Sequence, residues 1–151
     1  MIALAKAAAM AVAMAGQQAG LPDSAAEALG CLALNVYHEA RSEGAIGRRA
    51  VAHVTLNRMR DPRFPDDVCG VVTQSAGGSC QFSWWCDGRS DAPRNMQAFE
   101  LSARAAARVM AGQIADPTDG ALYFLPKRMG RPGWTRDLRQ TAVIGEHRFF
   151  E

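Results

Sequence analysis

The sequence predicts an α+β domain, predominantly helical, carrying a small β-hairpin, and three observations lead there. Apolar residues recur at helical spacing from Ala25 to Val54 and again after Asn95, while aromatic and β-branched residues gather in two short runs near the C-terminus. The third is length: 151 residues are about one domain's worth of chain, with no internal repeat and no linker to divide it.

The first segment, residues 1–20, "MIALAKAAAMAVAMAGQQAG", carries two readings. Helix propensity makes it an alanine-rich helix. Lys6 ahead of an Ala/Met/Val run with an Ala13-Met14-Ala15 step equally resembles a weak secretory signal. Residues 21–151 are expected to form the domain proper. Ser24 followed three residues later by Glu27, behind Pro22, fits a capping box, so a helix is expected to start there. Counting about 100° per residue from Ala25, the residues Ala28, Leu29, Leu32, Ala33, Val36 and Ala40 fall within an arc of roughly 140°, the buried face.

Gly44 and Gly47 interrupt that pattern, and "GRRAVAHVTLNRMRD" resumes it with Ala50, Val51 and Val54 inward until Asp61-Pro62 ends it. The chain from "PRFPDDVCGVV" to "SDAPRN" reads as an extended, ordered loop with a short apolar run at Val68 to Val72 and the aromatic cluster "QFSWW". "NMQAFELSARAAARVMAGQ" is a further helix ending near Gly112, and "DPTDG" is a turn in which proline presets one torsion and glycine accepts a positive one. "ALYFLP" and "TAVIGEHRFF" have the composition of strands, joined by "KRMGRPGWTRDLRQ" into a hairpin that packs on the helices.

A composition of 48% hydrophobic and 21% charged residues is that of a soluble globular protein, and no run of 18 strongly apolar residues marks a membrane-spanning helix. No stable membrane partner is expected, and a monomer is. The net charge of +2 comes without the clustered Lys/Arg stripe of a dedicated nucleic-acid binder. Four cysteines lack the paired C-x2-C spacing of structural zinc. Cys31, inside an apolar helix, reads as a packed thiol; among Cys69, Cys80 and Cys86 one disulfide is expected if the protein works outside the cytoplasm, with the pair left open.

The stretch "NVYHEARSEG" carries the sharpest chemical candidate. On the same wheel Glu39 falls at about 320°, between Ala28 and Leu32 on the inward face, whereas His38 falls near 220° on the polar side. An inward carboxylate with no cation on its own helix face loses solvation and has a raised pKa, which a general acid near neutral pH requires. A glutamate at the rim of the core, bonded to a loop amide, is the structural alternative. Glu43, one turn on, is the candidate second carboxylate or a cap-region residue; Asp87, in "WWCDG", is another partner or a turn former with Gly88. A zinc protease helix needs a second histidine where Ser42 stands, so no metal is expected. Cys80 or Cys86 with His53 or His147 is the rival from peptidase chemistry, and a non-catalytic carbohydrate-binding module built on "CQFSWWCDG" is the third class. Arg41, Arg48 and Arg49 read as solvated charges near helix ends.

In order along residues 29 to 150, "LALNVYHEARSEGAIGRRAVAHVTLNRM", "FPDDVCGVV", "CQFSWWCDG", "AARVMAGQIADPTDGALYF" and "IGEHRFF" resemble the SleB/CwlJ-type cell-wall hydrolase family. The resemblance implies a lysozyme-related catalytic domain that cuts the glycan strands of peptidoglycan, as a lytic transglycosylase or a muramidase, without a cofactor. It places the family's acid, the first glutamate of an E-A/S-R-G-E segment, on Glu39. Ser42 departs from the glycine relatives usually carry, and His38 stands at a variable position. Around the acid, Gln81, Phe82, Ser83 and Trp84 are expected to form one groove wall, with Asp87 nearby, and Tyr123 with Phe124 another; His147 is expected either to reach across the site or to pack against the core. The site of action is then the cell wall or periplasm, reached by the N-terminal signal or by phage-type release as an endolysin.

Overall fold

The computed structural model describes residues 2–151. Five α-helices run in the order α1 (Lys6–Gln18), α2 (Ala26–Ala40), α3 (Ala45–Arg60), α4 (Val68–Val72) and α5 (Met96–Met110). A two-stranded ribbon, β1 (Ser75–Ala76) and β2 (Ser79–Cys80), lies between α4 and α5, and β3 (Tyr123–Pro126), β4 (Gln140–Ile144) and β5 (His147–Phe150) close the chain. The α+β class expected from the sequence is the one observed.

α2 is the central helix. It is buried along almost its whole length, from Leu29 to Tyr37, because α5, α1, α3 and α4 all pack against it. α5 meets it with Phe99 and the small side chains Ala103, Ala106 and Ala107, which let the backbones approach closely. α1 adds Ala8, Val12 and Ala15 to the same core. No helix among the described residues is long and apolar enough to cross a membrane.

The capping box at Ser24 does not form: Asp23–Ala25 make a 3-10 turn, and α2 begins at Ala26 without a side-chain cap. Asn95 and Asp67 do cap, accepting from the Ala98 and Gly70 amides and so starting α5 and α4.

Cys31 is not a free thiol. It is bonded to Cys69, while Cys80 is bonded to Cys86, so the four cysteines make two disulfides where one was expected. The first joins α2 to α4 across 38 residues, a closure worth about 4 kcal/mol in the chain-entropy account. The second ties β2 to the end of "QFSWW".

The C-terminal hairpin gains a third strand because Gly145-Glu146 turns "TAVIGEHRFF" back on itself, giving an antiparallel sheet of order β3-β5-β4. Gly145 has a φ of +55°, which explains glycine at the first turn position. The "DPTDG" turn is locked by Asp116, whose carboxylate accepts from the Thr118 amide and hydroxyl, the Gly120 amide and the Asn57 amide of α3. Asn57 also donates to the Ala121 carbonyl, so the chain entering β3 is held against α3.

Candidate active site

α2, α3 and β3 converge on a groove of about 440 Å³. Glu39, at the inner end of α2, lines it together with Arg58 of α3, Gln81, Phe82 and Ser83 of the disulfide-closed loop, and Tyr123 and Phe124 of β3. Met129 and Trp134 from the loop after β3 complete the wall, both more than half exposed. Burial pushes the Glu39 carboxyl from the ordinary carboxylate range up to about 7, against the opposing pull of the Arg58 guanidinium. Near neutral pH the acid is therefore about half protonated, able to give a proton and to take one back.

The 3-10 turn Ser83–Trp85 sorts the aromatic cluster. Phe82, extended just ahead of the turn, and Ser83 border the groove, while Trp84, about 120° round from Ser83, points away. Its indole Nε1 donates to Asn35 Oδ1 at 2.9 Å, and its ring stacks on His38 at 4.5 Å. Trp84 is thus a core residue with its polar atom satisfied. With His38 and Asp87 it lines a separate cavity of about 410 Å³. Asp87 itself accepts from the Arg89 amide, the turn-forming role.

Glu43 and His147 form a pair one turn beyond the acid. Glu43 Oε1 lies 3.0 Å from His147 Nδ1 and accepts from the Glu146 amide at 3.1 Å, with both side chains only about a tenth exposed. Burial holds the imidazole below its ordinary pKa despite the carboxylate beside it, so at neutral pH His147 donates Nδ1–H as a neutral ring. Glu43 fits because its neighbours are glycines: a Cβ at Gly145 would overlap Glu43 Oε2, and one at Gly47 would stand 2.8 Å from Glu43 Cβ. Neither residue lines the groove; His147 sits behind Phe124, ring against edge at 5.3 Å.

The model of the Cell Wall Hydrolase family matches residues 42–150. The chain belongs to that family. Its similarity to the spore cortex-lytic enzyme of Halalkalibacterium halodurans is 36% identity over 118 residues, 78% of this chain and 33% of that protein. The spore cortex-lytic enzyme of Bacillus subtilis is 34% identical over 120 residues, 80% of this chain and 36% of that one. The chain thus spans about a third of the length of the curated relatives it matches. The catalytic domain of the Bacillus cereus SleB protein superposes with a TM-score of 0.66 at 31% identity, covering 82% of this chain and 89% of that domain. The catalytic domain of the germination-specific lytic transglycosylase SleB from Bacillus anthracis gives 0.64 at 30%, with 82% and 93% covered. The family expected from the ordered motifs is the family found.

In this member of the Cell Wall Hydrolase family the structure gathers Glu39, Gln81, Phe82, Ser83, Tyr123 and Phe124 around one groove. It leaves Trp84 and Asp87 at the other cavity and turns Glu43 toward His147. Arg58 and Trp134 are groove residues that the sequence reading does not single out. Arg58 had a signal: it follows Val54 by four residues, one turn along the same inward face of α3. Trp134 had none beyond an aromatic residue in a Pro/Gly loop.

Proposed function

We propose that this chain cleaves the glycan strands of peptidoglycan at MurNAc to GlcNAc β-1,4 bonds, with Glu39 as general acid and then general base. The observation that carries the reading is a carboxyl with a pKa raised to about 7, lining an open groove walled by Phe82, Tyr123, Phe124 and Trp134. Aromatic faces suit the apolar faces of sugar rings, and the polar Gln81 and Ser83 suit their hydroxyls and acetamides.

Glu39 transfers its proton to the glycosidic oxygen as the bond to C1 breaks and an oxocarbenium-like centre develops. The Glu39 carboxylate then accepts the proton of the muramoyl C6 hydroxyl, whose oxygen bonds to C1. The product is a 1,6-anhydro end, and Glu39 is protonated again.

This route, a lytic transglycosylase's, is favoured over water attack because Glu39 is the sole carboxylate lining the groove among the described residues. Glu43 is engaged by His147 and the Glu146 amide, and Asp87 lies elsewhere. The thiol peptidase alternative lacks a nucleophile, since all four cysteines are in disulfides.

Mass spectrometry of digested peptidoglycan is the direct test. Anhydro-muramoyl ends are expected; reducing ends would replace the transglycosylase step with hydrolysis, and peptide cleavage alone would overturn the glycosidase reading. Glu43→Gln separates the same two routes by rate. An amide oxygen still accepts from His147 and Glu146, so the variant is expected to keep cleavage within about tenfold of the wild type. A loss of about a hundredfold or more in a folded variant would give Glu43 the water-activating role.

A further inference from the structure

Arg58 is the most deeply buried charged side chain of the groove. It is 3% exposed, although an isolated guanidinium in that setting is costly to bury. No carboxylate oxygen among the described residues lies within 4.0 Å of its nitrogens, so no ion pair offsets that cost. One Nε hydrogen bond to the Leu122 carbonyl at 2.6 Å fixes the side chain, and Nη1 is buried without a hydrogen-bond partner.

What surrounds the charge is aromatic. The guanidinium carbon lies 5.2 Å from the ring centres of Phe64 and Phe82 and 5.6 Å from that of Tyr123. Three π faces stabilise a cation where water is excluded, and they do so without neutralising it. Burial pulls the guanidinium down only to about 10, so the charge persists at neutral pH. An unpaired, permanent cation caged within a catalytic groove has a use if its field acts on a neighbour. Glu39 is the acid that shares the groove with it.

We propose that Arg58 is the charge partner of Glu39, a caged cation that stabilises the carboxylate left when Glu39 gives its proton to the glycosidic oxygen. The inference rests on Glu39 being the acid. As the proton leaves, negative charge appears on Glu39 in the same groove as a fixed positive charge, in surroundings where the attraction is weakly screened. Because no contact pair forms, the acid still loses its solvation and stays weak enough to hold a proton near neutral pH. A cation bonded directly to Glu39 would have made it a permanent carboxylate. The aromatic cage and the Leu122 carbonyl hold the guanidinium in place, and Arg58 is a positioning residue acting through the acid.

The other groups facing Glu39 leave the assignment clear. Of the groove residues, Tyr123 alone remains titratable besides the pair, since Cys80 is in a disulfide. Glu43 and His147 lie one turn on and are bonded to each other.

The test is the titration of the Glu39 side-chain carboxyl by carbon-13 NMR in the whole protein, which needs no substrate, alongside the pH profile of glycan cleavage. Arg58→Met is expected to raise the Glu39 midpoint by about one pH unit or more, shift the profile with it and lower kcat at least tenfold. Arg58→Lys is expected to restore most of both, because it returns the charge. Should Arg58→Met not fold, Arg58→Gln removes the charge while keeping an amide donor for the Leu122 carbonyl. An unchanged Glu39 midpoint in a folded, neutral variant overturns the proposal. If the midpoint moves as expected while Glu39→Gln retains full cleavage, the pair stands and the role of Glu39 as the acid falls.

Discussion

Glu39→Gln is expected to fold and to lose glycan cleavage by about three orders of magnitude, chiefly in kcat. The substitution is nearly isosteric, so the groove, the Arg58 cage and the α2 packing remain, and the proposed sugar-binding walls are unchanged. What disappears is the proposed acid and base, the sole carboxyl lining the groove among the described residues. Binding of glycan fragments should change less than tenfold, which separates loss of chemistry from loss of the site. Turnover within tenfold of the wild type would remove Glu39 from the mechanism. The family match does not bear on the point, since it begins three residues after Glu39; the geometry of α2 and the groove carries it.

Glu39 was legible in the sequence because helical phase is local. Counting along α2 needs no knowledge of what packs against it, and the residues it set inward are buried. The side it took as polar is buried too, at Cys31, Leu34, Asn35 and Tyr37, and His38 is half-buried against Trp84 rather than solvated. The environment of that carboxyl was not legible. The wheel showed no cation on the face of α2, but the cation comes from α3, and only the tertiary fold sets Arg58 in the same groove. An arginine at an inward helical position is usually read as one whose stem is covered and whose head reaches water. Here the head is covered too, because Phe64, Phe82 and Tyr123 arrive from three separate segments to receive it.

The same distinction explains the other departures. Ser24 and Glu27 have the spacing of a cap, yet Asp23–Ala25 form a 3-10 turn behind Pro22, which puts Ser24 inside the turn rather than at the helix boundary. Cys31 looked like packing because its partner lies 38 residues away on α4. Phe82 and Trp84 both read as candidates for a sugar platform and both prove nearly buried; the 3-10 turn leaves Phe82 bordering the groove and sends Trp84 to Asn35. Glu43 is the clearest case: its role is set by Gly145 and His147, over a hundred residues further on.

The second large effect is on stability, and it comes from the same carboxyl. Glu39 has an ordinary pKa of 4.5 and in the folded protein about 7, so its contribution changes sign with the usual carboxylate case. Below pH 4.5 folded and unfolded chains both hold the proton, and the acid costs nothing. As pH rises through the window from 4.5 to 7, the unfolded chain releases its proton while the fold keeps it, and stability falls. Above pH 7 the penalty is complete, on the order of 3 kcal/mol. Glu39→Gln removes the titration and leaves the shape. The variant is therefore expected to match the wild type in urea denaturation at pH 4 and to exceed it at pH 8 by roughly 3 kcal/mol, with a melting temperature higher by about 6 to 12 °C. Comparing the two proteins at each pH cancels the other titrating groups, and both disulfides stay intact. Equal stabilities at both pH values would mean that Glu39 is solvated in the native state, and the raised proton affinity on which its chemistry depends would go with it. A cost of that size at one carboxyl near neutral pH is what the proposed general acid requires, whereas packing alone would favour an amide or an apolar side chain there.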